Sequence, residues 1–229
     1  MLHGYGASLL AGASITLGVA LASLVIAFVL GLAGAAAKLS GSRVARAIGS
    51  AYTTVIRAVP DLVLMLLVFY GGQTIVNLLA ARWGFEEGID VNPFVAGVLT
   101  IGFIYGAYLT ETFRGAMLAV PPGQREAAVA FGMTDAQAFI RIVGPQMLRH
   151  ALAPLSNNWL VLIKSTAIVS VIGLTDLMQR AGQAAGSTRE PFLFYGAVAL
   201  IYLGFTSLSE LVFGLLQRRL AIGVRKVEL

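Results

Sequence analysis

The sequence contains no cysteine, so disulfide bonds, thiolate metal sites and a cysteine nucleophile are all excluded. Charged residues are also scarce: they make up 12% of the 229 residues, whereas hydrophobic residues make up 58%. The mean hydropathy of +0.83 lies outside the usual range of soluble domains, in which about a quarter of the residues are charged. The composition therefore predicts a helical membrane protein with no room for a large soluble domain.

The chain also lacks the common sequence signatures of an enzyme. Its two histidines, His3 and His150, lie too far apart in the sequence to suggest a metal site or a hydrolytic triad. The nearest approach to a phosphate-binding loop is GLAGAAAKLS, residues 31–40, which has Ala37 where the motif G-x-x-x-x-G-K-[ST] requires glycine. We therefore expect no catalytic residue and no metal ligand in this chain.

Five stretches are apolar and long enough to cross a bilayer as helices, for which about 20 residues are needed. We place them at residues 9–37, 53–80, 93–115, 153–179 and 193–216. Asn157, Asn158 and Lys164 interrupt the fourth stretch, which is therefore the least regular of the five. Backbone groups in lipid must be hydrogen-bonded within the segment, so helices are the expected form. The sequence thus predicts an all-α, polytopic membrane protein that forms a single domain over residues 1–229.

Lysine and arginine residues are concentrated on one side of the predicted membrane. They follow the first, third and fifth spans: Lys38, Arg43, Arg46, Arg114, Arg125, Arg141, Arg149, Arg218, Arg219, Arg225 and Lys226. The other side has fewer, interspersed with acids: Arg82, Arg180 and Arg189 with Glu86, Glu87, Asp90 and Glu190. The positive-inside rule then predicts an external amino terminus and a cytoplasmic carboxyl terminus.

The connection between the third and fourth spans, residues 120–150, has the composition of a soluble segment. Residues 124–131 are predicted to form a short helix that Gly132 ends. Thr134 and Gln137 have the spacing of a capping box at the start of a second helix, which Gly144 and Pro145 are expected to stop. Periodicity leaves two interpretations open: a pair of helices lying on the membrane surface, or a docking surface for a soluble partner.

An ionisable side chain within a span is costly and normally faces protein or water. Arg57 and Asp61 are four residues apart at the start of the second span, so an ion pair between them is expected. Pro60 lies between them and removes a hydrogen bond from the helix. A helix broken in this way is tolerated where it lines a cavity or packs against protein.

Three more spans carry ionisable residues. Glu111 lies near the end of the third span, Asp176 late in the fourth, and Glu210 within the fifth. Lys164, in the fourth span, has an aliphatic stem long enough either to extend toward the cytoplasm or to neutralise a carboxylate. These residues are candidates for a polar pathway, with helix contacts as the structural alternative.

Segment 120–150 resembles the EAA loop of the membrane subunits of bacterial ABC importers. The residues that match the pattern are Glu126, Ala127, Ala128, Gly132, Ile142 and Pro145. Gly144 departs from it, because the position before the proline is commonly leucine in that family. In the family this loop is a coupling helix that inserts into a cleft on the ATP-binding subunit. The resemblance therefore implies that the six matching residues couple this chain to an ATPase.

The likeness extends over nearly the whole chain. The segments RAVPDLVLMLLVFYG, GFIYGAYLTETFRGA, NNWLVLIKSTAIVSVIGL and LIYLGFTSLSE are similar to membrane subunits that import histidine, lysine, arginine and ornithine. The resemblance implies that spans two, three and four line the translocation path. Five polar residues would then lie near the path: Asp61, Glu111, Asn157, Asn158 and Asp176.

The resemblance also implies a set of partners in the bacterial inner membrane. They are a second, similar permease subunit, two ATP-binding subunits that hold ATP and Mg, and a periplasmic binding protein that delivers the amino acid. Three alternatives remain open. The same architecture could import arginine-derived opines such as octopine or nopaline, the chain could bind a partner that is not an ATPase, or it could be a membrane enzyme.

Overall fold

The computed structural model describes residues 2–83 and 89–220. Glu86, Glu87, Arg225 and Lys226, which entered the orientation argument, lie outside these ranges. The described chain forms helices and no β-strand. Counting each uninterrupted helical run once, there are eight: α1 Gly6–Leu39, α2 Arg43–Ala58, α3 Asp61–Arg82, α4 Pro93–Leu118, α5 Pro122–Ala130, α6 Asp135–Ile172, α7 Leu177–Thr188 and α8 Pro191–Leu220.

Five of these helices are long and apolar enough to cross a membrane, namely α1, α3, α4, α6 and α8. This confirms the predicted all-α fold with five membrane helices. The second span differs from the prediction of 53–80, because Val59 and Pro60 are extended and separate α2 from α3. The span itself therefore begins at Asp61, and residues 43–58 form a helix of their own.

The fourth span was predicted at 153–179, and its carboxyl end is wrong. Helix α6 begins at Asp135, and its 38 residues correspond to about 57 Å, far more than the bilayer core. It ends before Gly173, whose φ of +87° is left-handed and therefore stops the helix. Asp176 lies beyond this break, where it caps the separate helix α7.

Helices α1 and α4 run parallel and make the most extensive contact of the bundle. Glycines let the two backbones approach closely. A Cβ atom on Gly102 would lie 2.7 Å from Ile26, and one on Gly106 would lie 2.8 Å from Leu30. Small residues of this kind are typical where membrane helices pack without a hydrophobic driving force between them. Helix α4 is therefore the central helix, and most residues of its apolar stretch are buried.

Contacts between the other helices fix the direction of each pass. Ser165 of α6 lies beside Tyr105 of α4, and Asn158 lies beside Thr112, so these two helices are antiparallel. The bundle consequently has two different ends. We call the end that carries Lys38, Arg114 and α5 the basic end, and the end that carries residues 2–5, 89–92 and α7 the distal end.

Two hydrophobic cores hold the bundle together. The larger one joins α1, α4 and α6, while the smaller one at the distal end joins the start of α1 to α7 and α8 through Leu9, Leu177 and Phe194. By contrast, only 11% of the residues in the most apolar stretch of α3 are buried, and only 6% of those in the most apolar stretch of α8. Their exposed faces require lipid or another membrane chain as a covering.

Candidate functional site

Helix α5 ends in a Schellman motif at Gly132. The Met133 N–H donates to the Ala128 carbonyl at 3.1 Å, and the Gly132 N–H donates to the Val129 carbonyl at 2.9 Å. Gly132 has a φ of +85°, which only glycine adopts without strain. The expected helix end at Gly132 is confirmed, and its cause is the left-handed backbone.

The residues of the EAA pattern do not all face the same way. Glu126, Ala127 and Gly132 are exposed, and a Cβ atom on Gly132 would meet no atom within 4 Å. Ala128 instead is 5% exposed. Phe131, directly before Gly132, has 88% of its surface exposed although it is large and apolar. An exposed surface therefore surrounds the turn at Gly132, whereas Ala128 points inward.

Polar contacts fix α5 against the start of α6. Arg125 forms an ion pair of 2.7 Å with Asp135, and the Gln146 amide donates to the Gln124 side chain at 3.2 Å. The ion pair is exposed and contributes little energy by itself, about 0–1 kcal/mol. The ion pair instead positions the helices, because together with the buried Ala128 it fixes the angle between α5 and α6. None of these contacts was evident from the sequence.

The second helix of this segment begins as expected but does not stop where expected. Thr134 and Gln137 form the predicted capping box, with bonds of 3.3 and 3.0 Å. The expected stop at Gly144 and Pro145 is wrong, because the helix widens into a π-turn over Phe139–Val143 and continues. The Gly144 N–H donates to the Phe139 carbonyl, and a Cβ atom on Gly144 would lie 2.9 Å from that oxygen.

This turn explains the glycine that stands in place of the family's leucine. A side chain at position 144 would collide with the Phe139 carbonyl, so the wide turn requires glycine. Ile142 is half-buried and its carbonyl accepts from Gln146 at 3.0 Å, whereas Pro145 is exposed. Ile142 thus belongs to the packing of α6, and Pro145 lies on its surface.

A second polar cluster lies midway along the bundle, where α3 begins. The Tyr105 hydroxyl is 2.6 Å from the Ser165 hydroxyl and 3.5 Å from the Asp61 carboxylate, at the limit of a hydrogen bond. Asp61 is half-buried. The predicted ion pair between Arg57 and Asp61 is wrong, because the break at Pro60 puts them on different helices. The Arg57 guanidinium lies over the Tyr108 ring instead, at 5.3 Å from its centre.

This cluster coincides with departures from regular α-helix in two spans. Asp61 follows the break at Pro60, and Ser165 immediately precedes the change of α6 from α-helix to 3₁₀-helix at Thr166. Lys164 is exposed beside Ser165. Neither Arg57 nor Lys164 belongs to an ion pair within residues 2–83 and 89–220. In these ranges Arg57 and Asp61 are connected only through the neighbouring rings of Tyr108 and Tyr105, whose centres are 5.5 Å apart.

The other expected pathway residues have different surroundings. Glu111 is held by Lys38 and by Arg114, the latter at 2.9 Å, and so ties α4 to the end of α1. The Asn158 amide donates to Thr112 at 2.8 Å, while Asn157 is exposed on α6. Within the described residues Asp61 thus has no ion-pair partner, whereas Glu111 and Asn158 each have a partner on another helix.

Asp176 lies at the distal end, away from Asp61 and outside the membrane-spanning helices. It is fully buried, and one carboxylate oxygen accepts from the Gln179 N–H at 2.9 Å as the N-cap of α7. The other oxygen has no hydrogen-bond partner among the described residues. Burial raises the pKa of Asp176 to about 6, because desolvation outweighs the backbone N–H donors of Gln179 and Met178.

The raised pKa predicts that ionised Asp176 destabilises the fold. The folded state binds this proton more tightly than the unfolded state, so the contribution of Asp176 to stability falls from about pH 4 to about pH 6 and then stays constant. We expect Asp176→Asn, which preserves the cap, to raise the free energy of unfolding by up to about 3 kcal/mol at neutral pH and to have little effect at pH 4.

Thermal unfolding followed across that pH range tests this expectation. Asp90→Asn, an exposed acid in the distal loop, is the matched control and should change stability little at any pH. A stabilising effect of Asp176→Asn that is the same at every pH would contradict the assignment to ionisation.

Comparisons with known proteins agree with this architecture. The family described as binding-protein-dependent transport system inner membrane component matches residues 23–222. The chain is 52% identical over 229 residues, all of both chains, to the histidine/lysine/arginine/ornithine transport system permease protein HisQ of Salmonella typhimurium. It is 40% identical over 223 residues to the octopine transport system permease protein OccQ of Rhizobium radiobacter, covering 97% of this chain and 94% of OccQ.

A solved structure extends the likeness to three dimensions. The crystal structure of an amino acid ABC transporter with histidines contains a chain that superposes with a TM-score of 0.79 at 32% sequence identity. The superposition covers 94% of this chain and 95% of that one. The likeness therefore extends over nearly the whole chain.

Proposed function

The chain belongs to the inner membrane components of binding-protein-dependent transport systems, and we propose that it is the permease subunit of an ABC importer for basic amino acids. The substrate class is supported by the 52% identity to a permease of a histidine/lysine/arginine/ornithine system. An opine importer is the second candidate, supported by the lower identity of 40% to the octopine permease. ATP and Mg would be held by a separate ATP-binding subunit.

The exposed surface at the turn of α5 is the proposed docking site of that subunit. Glu126, Ala127 and Gly132 are presented outward, and Phe131 adds an exposed aromatic ring. Aromatic side chains that enter a pocket on a partner commonly contribute most to such an interface. Ala128 has a different role, because it packs inward and positions α5 on α6. The coupling set inferred from the resemblance thus comprises a contact group and a positioning group.

Helix α6 offers a direct mechanical connection from the docking site to the middle of the bundle. It starts beside α5, to which it is tied by Asp135 and Gln146, and continues to Ser165 at the Tyr105–Asp61 cluster. A displacement of α5 by the ATPase would be transmitted along this helix. Nucleotide and loaded binding protein would then bias the same two-state equilibrium from opposite ends.

Asp61 is the proposed contact for the substrate's positive charge. A lysine or arginine side chain that leaves water needs an opposite charge, since an unpaired buried charge is costly. Arg57, whose guanidinium lies over the Tyr108 ring beside Tyr105, is suited to the substrate's α-carboxylate. Glu111 already has Lys38 and Arg114 as partners, so its proposed role is to hold α1 and α4 together.

Orientation follows from the charge distribution of the two ends. Lys38, Arg43, Arg46 and Arg114 lie at the basic end, which we assign to the cytoplasm. The amino terminus and α7 then face the periplasm, where the binding protein delivers its ligand. The exposed faces of α3 and α8 are the proposed contacts with a second, similar permease subunit, and lipid would cover what remains.

Single cysteines test the orientation cleanly, because the chain has none of its own. We expect a membrane-impermeant maleimide added to right-side-out vesicles to label the external positions and to spare the cytoplasmic ones. The external replacements are Asp90→Cys and Arg189→Cys, and the cytoplasmic ones are Gly41→Cys and Ala130→Cys. Labelling of Gly41→Cys in intact vesicles, with Asp90→Cys protected until the vesicles are opened, would reverse the assignment.

The transport function is tested by reconstituting this chain with its ATP-binding, second permease and binding-protein partners in liposomes. We expect ATP-dependent uptake of labelled arginine, with excess unlabelled octopine competing weakly. An ATP-binding subunit should also co-purify with the chain. Strong competition by octopine would favour the opine alternative. A chain that purifies with other proteins but never with an ATPase would contradict the importer function.

A further inference from the structure

An apolar groove lies on the surface where α2 crosses α1 and α4. Its volume is about 380 Å³, and its walls are formed by Leu30, Ala33, Gly34, Ala37, Ile48, Gly49, Tyr52 and Phe103. The single hydroxyl in this lining belongs to Tyr52 and already donates to the Phe103 carbonyl at 2.5 Å. The groove therefore offers contact to hydrocarbon and no side-chain hydrogen bond to a polar ligand.

Close packing beneath the groove keeps its shape fixed. A Cβ atom on Gly34 would lie 2.2 Å from the Thr110 hydroxyl oxygen, and one on Gly49 would lie 2.8 Å from the Lys38 side chain. The two glycines therefore let α1 approach α4 and α2 closely beneath the groove. The Tyr52 ring in its wall is also held in place, by the hydrogen bond to the Phe103 carbonyl.

A cationic group lies at the basic end of this groove. The loop between α1 and α2 closes that end three residues beyond Ala37, and one guanidinium nitrogen of Arg46 donates to the Ser40 carbonyl at 3.0 Å. Arg46 is exposed, and its other N–H groups make no hydrogen bond within the described chain. Arg43 is exposed on the same turn of α2. Lys38 is unavailable because Glu111 holds it.

We propose that this groove binds one acyl chain of an anionic phospholipid whose phosphate is held by Arg46. The inference rests on the orientation proposed above, which places the groove in the cytoplasmic leaflet. The chemistry matches at both ends: a hydrocarbon chain fills the apolar lining, and a guanidinium pairs with a phosphate through its remaining donors. The neighbouring residues Val44, Ile48 and Val55 are exposed and apolar, as expected for a helix in contact with lipid.

Such a lipid would bind at the basic end of the bundle, the end that also carries the docking surface on α5. It would contact α1, α2 and α4 at the level of the Lys38–Glu111–Arg114 cluster, and thereby stabilise the angle of α2 against the bundle. Because α2 ends at the break before Asp61, its angle bears on the pathway. Occupancy of the groove by anionic lipid is therefore expected to support uptake without taking part in ATP hydrolysis.

The test uses the assembled importer, purified from membranes and transferred to nanodiscs of phosphatidylcholine with traces of labelled phosphatidylglycerol. Native mass spectrometry then counts the phosphatidylglycerol retained. Ala33→Phe fills the groove, and Val25→Phe, at an exposed position of α1 outside it, is the matched control. Arg46→Gln removes the head contact, with Arg149→Gln as the control for loss of one exposed charge at the basic end.

We expect Ala33→Phe and Arg46→Gln each to lower retention at least about fivefold, and both controls to retain the lipid. Equal retention in all four variants would overturn the site. A single cysteine at Ile48 that cross-links to the second permease subunit would overturn it too, since the groove would then be covered by protein. Both readouts are independent of transport. Loss of lipid retention in every protein tested would contradict the lipid site and leave the importer function unaffected. Absence of uptake in a protein that retains the lipid would contradict the importer function and leave the lipid site unaffected.

Discussion

Replacing Gly132 by valine is expected to lower ATP-driven uptake by at least about tenfold, which corresponds to about 1.4 kcal/mol of lost coupling. Gly132 has a φ of +85°, and a β-branched residue is strongly disfavoured in that region. The chain would leave the left-handed conformation and break the two bonds that close α5. Phe131 and Glu126 would then no longer be presented together to the ATP-binding subunit.

Two variants separate this backbone effect from simple crowding at the interface. Gly132→Asn adds a side chain of similar size but tolerates the left-handed region, so it should keep most of the uptake. Gly123→Val places the same side chain at an exposed position of α5 that has an ordinary φ, and it should be close to neutral. Capture of amino acid by the binding protein should be unchanged in all three. Equal loss in Gly132→Asn and Gly132→Val would show that the added volume, and not the backbone, is responsible.

Local signals sufficed for those parts of the fold that depend on neighbouring residues. The five membrane helices follow from the length of the apolar stretches, and the capping box at Thr134 and the turn at Gly132 follow from residue type and spacing. The Gly144–Pro145 signal misled because proline stops a regular α-helix. Here the π-turn before it redirects the hydrogen bonds, with Gly144 bonded to Phe139. Sequence spacing carries no indication of that widened turn.

The ionisable residues show a different limit. The expectation of an Arg57–Asp61 pair applied the i, i+4 rule, which holds only along one continuous helix. Pro60 breaks that helix, so Arg57 lies over the Tyr108 ring and Asp61 contacts the Tyr105 hydroxyl. Glu111 pairs with Lys38, which lies 73 residues away in the sequence, so only the packing of α1 on α4 reveals it. Asp176 was placed within a span because the apolar composition continues past the break at Gly173.

The docking surface was inferred from the resemblance, and its two roles became visible only in the structure. Ala127 and Ala128 are identical in sequence terms, yet one is exposed and the other buried against the chain itself. The family pattern does not include Phe131. A large apolar residue directly before a helix-ending glycine in a polar segment nevertheless indicates a contact surface. Its exposure of 88% makes it the most prominent apolar side chain of the turn.

The Asp61 carboxylate is expected to distinguish substrates by side-chain charge. We expect Asp61→Asn to lower uptake of arginine and lysine by at least about tenfold, since a hydrogen bond to a charged group contributes about 1.5–3 kcal/mol. Uptake of histidine at pH 8, where its side chain is neutral, should change much less. The measurement is initial uptake of each amino acid by the reconstituted importer, together with ATP hydrolysis stimulated by the loaded binding protein.

Glu111→Gln is the informative contrast, because Glu111 is bonded to Lys38 and Arg114. Removing its charge leaves two cations without their partner, so assembly and the uptake of all substrates should fall together. Asp90→Asn, an exposed acid in the distal loop that belongs to neither cluster, is the matched control and should change uptake little. If Asp61→Asn reduced arginine and neutral histidine equally while assembly was intact, Asp61 would not read substrate charge. Selection would then have to arise in the binding protein or in the second permease subunit, and the carboxylate would serve only to hold Tyr105 at the break before α3.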